Sequence, residues 1–127
     1  MTLNVLIVDD SAVMRTMVAR ALRMSGLPVG DVHEAANGRE ALDLLDDHWV
    51  DLATVDLNMA VMTGDELIAC LRATPTTADL PILVVSSESS PARIREIEAQ
   101  RAGFLHKPFS PETLHDAVRQ LLDVQHV

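Results

Sequence analysis

The chain has 127 residues, 48% of them hydrophobic and only 2% aromatic, with 19 acidic against 10 basic side chains for a formal charge of -9. That length sets the expectation of one domain over residues 1–127, and the acidity argues against nucleic acid or an anionic membrane surface while favouring a cationic or metal-bearing partner. A single cysteine, Cys70, excludes an internal disulfide, and no apolar run approaches the roughly 18 residues of a membrane span, so a reduced, cytoplasmic protein is expected. Cys70 itself reads as a small core residue.

A first strand is predicted over 4–8, an apolar run that ends in Asp9 and Asp10. Ser11 then caps a helix whose apolar stripe is Val13, Met14, Met17, Val18, Ala21 and Leu22, and Gly26 ends it. Residues 27–30 read as a loop and 32–35 as a short second strand closed by the Asn37-Gly38 turn signal. A second helix carries Ala41, Leu42, Leu44 and Leu45, and Trp49 after it reads as structural, at the opposite edge of the sheet from Asp56. The third strand, Leu52 to Val55, lies between Asp51 and Asp56. Gly64 leads into a helix with Leu67, Ile68 and Leu71 inward, which must stop before Pro75. A fourth strand is predicted over 80–85. Ser90-Pro91 starts the fourth helix, the weakest, with only Ile94, Ile97 and Ala99 apolar and Gly103 at its end. Phe104 and Leu105 make a short fifth strand, and Ser110-Pro111 opens a last helix with Leu114, Ala117, Val118, Leu121 and Leu122 on one face.

Alternating strands and helices predict an α/β doubly wound fold with a five-stranded parallel sheet in the order 2-1-3-4-5, flavodoxin-like. That order brings the ends of strands one, three, four and five together. Asp9, Asp10, Asp56, Ser86 and Lys107 then share one crevice, where the fold rule expects a ligand. Two carboxylates about 4 Å apart repel by roughly 4 kcal/mol at an effective dielectric of about 20, so three acids need a counter-charge. A hard divalent cation with oxygen ligands, Mg2+, supplies it, whereas the five histidines are scattered without zinc-ligand spacing. Lys107 is the only lysine among ten basic residues and suits a phosphoryl oxygen or the carboxylate that carries it, with Ser86 as a second donor. Phosphoryl transfer onto a carboxylate uses all five residues. Asp10 also fits an N-cap of the first helix, which leaves the division of roles between Asp9 and Asp10 open.

The acid pair in VDDSAVMR, the acceptor in VDLNMAVMTG, the hydroxyl in ILVVSS and the lysine in FLHKPF resemble, in order and spacing, the response-regulator receiver domains of two-component signalling, and among stand-alone members the chemotaxis type (CheY-like). The resemblance spans nearly the whole chain and implies a single receiver domain without an output domain. It implies that Asp56 accepts the phosphoryl group of a histidine kinase or phosphotransfer protein, and that Asp9, Asp10, Asp56 and the backbone carbonyl of Asn58 hold Mg2+. It also implies that Lys107 pairs with the acceptor, that Ser86 and Phe104 form the switch, and that Asn58 and Glu88 tune self-dephosphorylation. The product of switching is then a changed surface of the fourth helix, fifth strand and fifth helix for a separate protein, with the chain a monomer. Three positions depart from the family. Ala60 stands in place of a proline, Ser87 in place of Ala or Gly, and Phe104 in place of the tyrosine of chemotaxis-type members. Met14 and Met17 read as core, with docking to a kinase helix as the alternative. A phosphorylation-independent interaction module remains a second reading. An aspartyl-phosphate phosphatase of the haloacid dehalogenase class is a third, although it needs an acid where Asn58 stands.

Overall fold

A computed structural model describes residues 2–125 of the chain. The elements run β1 (Leu3–Val8), α1 (Ala12–Met24), β2 (Val29–Ala35), α2 (Gly38–Asp47), β3 (Leu52–Val55), α3 (Gly64–Ala73), β4 (Ile82–Ser86), α4 (Pro91–Ala99), β5 (Gly103–His106) and α5 (Pro111–Gln125). The sheet has the expected order β2-β1-β3-β4-β5, and every neighbouring pair is parallel.

Strand alternation splits the core in two. Leu6, Val8, Ala53, Val55, Ile82 and Val84 face α2, α3 and α4 through Ala41, Leu67, Ile68, Leu71 and Ile97. Val5, Ile7, Leu52, Leu83, Val85 and Leu105 face α1 and α5 through Val18, Leu22, Leu114 and Val118. With both faces covered, β3 and β4 are buried at every residue, which is why they read as unbroken apolar runs.

The register then fixes the site. Val8 is opposite both Ala35 and Val55, so β1 and β3 end at one level. The ladder continues one step further: Asp9 N–H donates to Ala35 O at 3.1 Å, Asp56 N–H to Val8 O at 3.0 Å and Lys107 N–H to Ser86 O at 3.0 Å. The carboxyl ends of β2, β1 and β3 are thereby tied side by side, and so are those of β4 and β5.

Several boundaries differ from the sequence pattern. β2 begins at Val29, because the β1–β2 register shifts between Leu3 and Val5 and the strand carries on through the apparent loop. Gly30 suits that irregularity, since a Cβ there would stand 2.7 Å from Asn4 Oδ1. Asn37 caps α2 by accepting from Glu40 N–H at 2.9 Å, where a turn residue was expected. Gly103 opens β5 and does not end α4; the left-handed residue after α4 is Arg101, with φ 63°. On α1, Val13 and Met17 are exposed, while Met14 packs on the core. Cys70 is half-buried. Trp49 lies beyond α2, mostly exposed, with its indole N–H donated to Asp51 Oδ1 at 2.9 Å.

Candidate functional site

Asp9, Asp10 and Asp56 each offer a carboxylate oxygen within 4.8 Å of the others. Asp9 and Asp56 are buried, whereas Asp10 is exposed at the rim. Lys107 Nζ lies 3.6 Å from Asp56 Oδ1 and 3.7 Å from Asp9 Oδ2, so one ammonium serves two acids, and among the described residues the third has no cationic partner. The imbalance shows at Asp56: burial first, then Asp9 and Asp10, push its carboxyl above the usual carboxylate range, with Lys107 pulling the other way. A cluster of hard oxygens with no histidine or cysteine and a net deficit of positive charge fits Mg2+.

The acids do not owe their placement to one another. Asp9 Oδ1 accepts Ser11 N–H at 2.9 Å, and Ser11 Oγ accepts Met14 N–H at 3.2 Å, so Ser11 and not Asp10 caps α1 and Asp10 is left free of that role. Arg15, which the sequence pattern does not single out, donates from Nη1 to Asp9 O at 2.7 Å and from Nε to Glu34 Oε1 at 3.0 Å, fixing the end of β1 from behind.

Asp56 sits under a tight connection. Leu57 and Met59 are buried on either side of exposed Asn58, which anchors the backbone there while the Asn58 side chain meets solvent. Gly64 N–H donates to Leu57 O at 3.0 Å. A Cβ at Gly64 would collide with the Asp56 carbonyl oxygen and stand 2.8 Å from Leu57 Cα, so the residue starting α3 is a glycine because α3 begins against the backbone of Asp56. A capping box between Thr63 and Glu66 locks that first turn.

Ser86, the last residue of β4, is fully buried, and its Oγ accepts Glu88 N–H at 3.1 Å. It pairs in register with His106, and Val84 pairs with Phe104, which places the Phe104 ring on the same face of the sheet two residues before the level of Ser86. Phe104 is half-buried, packs its ring 4.7 Å from that of His106, and borders a groove of about 530 Å3 together with Leu83, Ala102, Ala117 and Leu121. Glu88, two residues past Ser86, is half-buried, with Arg93 Nη1 at 3.9 Å from its carboxylate. The structure thus gathers Asp9, Asp10, Asp56 and Lys107 in one cluster, with Ser86 ending the adjacent strand, and sets Phe104 apart on β5. Arg15, Arg93 and the close approach at Gly64 carry no distinctive sequence signal, since each depends on a partner distant in the chain.

Residues 5–119 match the response regulator receiver domain. A chemotaxis protein CheY homolog of Campylobacter jejuni is 36% identical over 124 residues, covering 94% of this chain and 92% of that protein. The chemotaxis protein CheY of Pseudomonas aeruginosa is 33% identical, with 95% and 97% covered. Among solved structures, the chemotaxis response regulator CheY4 of Vibrio cholerae superposes with a TM-score of 0.83 at 38% identity, covering 95% of this chain and 99% of that one.

Proposed function

The chain belongs to the response regulator receiver domain family, and from that premise we propose that Asp56 accepts a phosphoryl group from a sensor histidine kinase or a phosphotransfer protein. The observation that carries this reading is the cluster itself: three carboxylates within 4.8 Å and one lysine 3.6 Å from Asp56, at the edge of the sheet where a doubly wound fold binds its ligand. In the transfer, an Asp56 carboxylate oxygen forms the new P–O bond as the N–P bond of the donor's phosphohistidine breaks and the imidazole departs. Asp56 must be ionised to attack, and Lys107 favours that form against the burial that opposes it. Asp9, Asp10, Asp56 and the Asn58 backbone carbonyl would hold Mg2+, which when bound neutralises the shared negative charge of the acids and the phosphoryl oxygens.

Ser86 is the proposed reporter. Its hydroxyl, now an acceptor for Glu88 N–H, turns to donate to a phosphoryl oxygen, and the Phe104 ring two levels back follows into the space behind β4. The α4, β5 and α5 surface then changes shape for a separate target protein, and Asn58 and Glu88 at the rim tune the return by self-dephosphorylation. We place the whole chain, residues 1–127, in this role as a monomeric cytoplasmic receiver unit; no helix among the described residues is long and apolar enough to cross a membrane. Acetyl phosphate with Mg2+ should label Asp56 alone, as an acid-stable, base-labile adduct. Labelling that persists in Asp56→Asn would remove the assignment.

A further inference from the structure

The β4–α4 connection holds a charge arrangement that the chemistry above leaves unused. Arg93, in the first turn of α4, donates from Nε to Asp65 Oδ2 at 3.0 Å and from Nη2 to Asp65 Oδ1 at 3.2 Å, a two-point fork onto the first turn of α3. Its third nitrogen, Nη1, lies 3.9 Å from Glu88 Oε1. Forked guanidinium–carboxylate pairs fix direction as well as distance, so the Asp65 bond decides where Nη1 points. Asp65 in turn cannot drift, because it follows Gly64, whose backbone rests on the Asp56 carbonyl and whose N–H is bonded to Leu57 O. At the other end, Glu88 N–H is bonded to Ser86 Oγ. One guanidinium therefore joins the rigid connection after the acceptor to the polar connection after the switch hydroxyl.

We propose that Arg93 is a positioning residue for hydrolysis of the aspartyl phosphate: anchored on Asp65, it holds the Glu88 carboxylate in one place at the mouth of the crevice, so that the phosphoryl lifetime depends on Arg93 through Glu88. This rests on the reading that Asp56 carries the phosphoryl group and that Glu88 tunes its loss. In the hydrolysis a water oxygen bonds to phosphorus, the bond from phosphorus to Asp56 Oδ breaks, and the water's protons leave with phosphate or solvent; Arg93 touches none of these atoms. A free glutamate side chain has three rotatable bonds and spreads over many positions, and displacement of a site group by about 1 Å is enough to change a rate substantially. The three partners are each 29–42% exposed, so the clasp contributes little to global stability and its loss leaves the fold intact.

The test measures the decay of the Asp56 adduct after acetyl phosphate is removed, in Mg2+, for the parent, Arg93→Ala, Glu88→Ala, the double variant and Arg93→Lys. Arg93→Ala should change the decay rate at least threefold in the same direction as Glu88→Ala. The double variant should go no further than Glu88→Ala alone, and Arg93→Lys, which keeps the charge but not the fork, should not restore the parent rate. An Arg93→Ala rate within about 1.5-fold of the parent, or effects of Arg93 and Glu88 that multiply, would overturn the proposal. A parent that takes no label refutes the reading of Asp56 itself, and the positioning is then judged in the unphosphorylated protein by amide exchange over residues 87–92. There Arg93→Ala should lose at least tenfold in protection, and unchanged protection overturns it.

Discussion

The β3–α3 and β4–α4 units leave the same edge of the sheet one strand apart, and they are held by opposite means. α3 buries Leu67, Ile68 and Leu71 completely, closes its first turn with a capping box, and starts against the Asp56 carbonyl. α4 buries only Ile97, has a long N-cap bond of 3.4 Å from Arg93 N–H to Ser90 Oγ, and is fastened beyond its apolar face by arginines: Arg93 to Asp65 at its start, and Arg72 of α3 to Gln100 O and Arg101 O past its end. Burying an apolar side chain is worth about 1.5–3 kcal/mol and does not yield by degrees, whereas an exposed ion pair such as Arg93–Asp65 contributes about 0–1 kcal/mol, and the carbonyls that Arg72 holds can take water instead. Asp56 is thus built on the unit that resists shifting, and the proposed reporting surface on the one that yields.

Truncation on the two helices tests that contrast most severely. Leu71→Ala opens a cavity in a fully buried site and should destabilise the protein by about 3–4 kcal/mol, while Ile94→Ala, at a half-buried position on α4, should cost about 1 kcal/mol. Urea melts of the two variants measure both. Equal losses would mean that α4 is as firmly packed as α3.

The same contrast explains what the sequence disclosed. Strands buried on both faces cannot be mistaken for anything else once apolar runs alternate with helical stripes, so the sheet order and the convergence of Asp9, Asp56, Ser86 and Lys107 were legible from topology. Elements held by apolar contacts were legible too, down to Leu67, Ile68 and Leu71. What stayed hidden is held by polar bonds between residues far apart in sequence. Arg15 behind Asp9, Arg72 across to the carbonyls after α4, and Arg93 on Asp65 leave no periodicity, because an arginine on a helix reads as solvated surface until its partner is known. The early start of β2 was hidden for a related reason: Val29-Gly30 looks like a turn unless Asn4 and the register shift opposite are seen.

The rigid unit also stores electrostatic strain, and pH exposes it. Burial and the neighbouring Asp9 raise the Asp56 carboxyl in the folded state, so folding favours its neutral form. That contribution is complete below the unfolded carboxylate range and is lost as pH rises through the raised folded value, above which the charged form carries the penalty. Asp56→Asn removes the charge while Lys107 keeps Asp9 as its partner. In Mg2+-free buffer at pH 7 the variant should melt higher by roughly 3 °C, corresponding to on the order of 1 kcal/mol. The gap should close as pH falls through the raised folded value and the parent's own carboxyl takes up a proton, and should narrow in Mg2+. A variant that melts below the parent at pH 7 would show that Asp56 is a net stabilising ion-pair member and not a strained acid.

The smallest expected effect separates the two connections by their backbone strain, since each unit carries one residue other than glycine in the left-handed region: Val61 with φ 71° in the β3–α3 connection and Arg101 with φ 63° after α4. That conformation is unfavourable by about 1–2 kcal/mol for a residue with a Cβ, and a branched side chain suffers most. Arg101 is compensated, because in this conformation its guanidinium donates to Asp79 Oδ1 at 3.1 Å and to Ala78 O at 2.9 Å. Val61 is 82% exposed, so its conformation is imposed by the chain that must clear Asp56 and reach Thr63, without packing of its own side chain in return. Val61→Asn, which suits the left-handed region, should therefore stabilise by about 0.5–1 kcal/mol, seen as a raised urea midpoint at unchanged slope. Arg101→Asn makes the same conformational change for the better but forfeits two hydrogen bonds, so its midpoint should stay level or fall. If both variants gain equally, the polar bonds around Arg101 contribute nothing to stability.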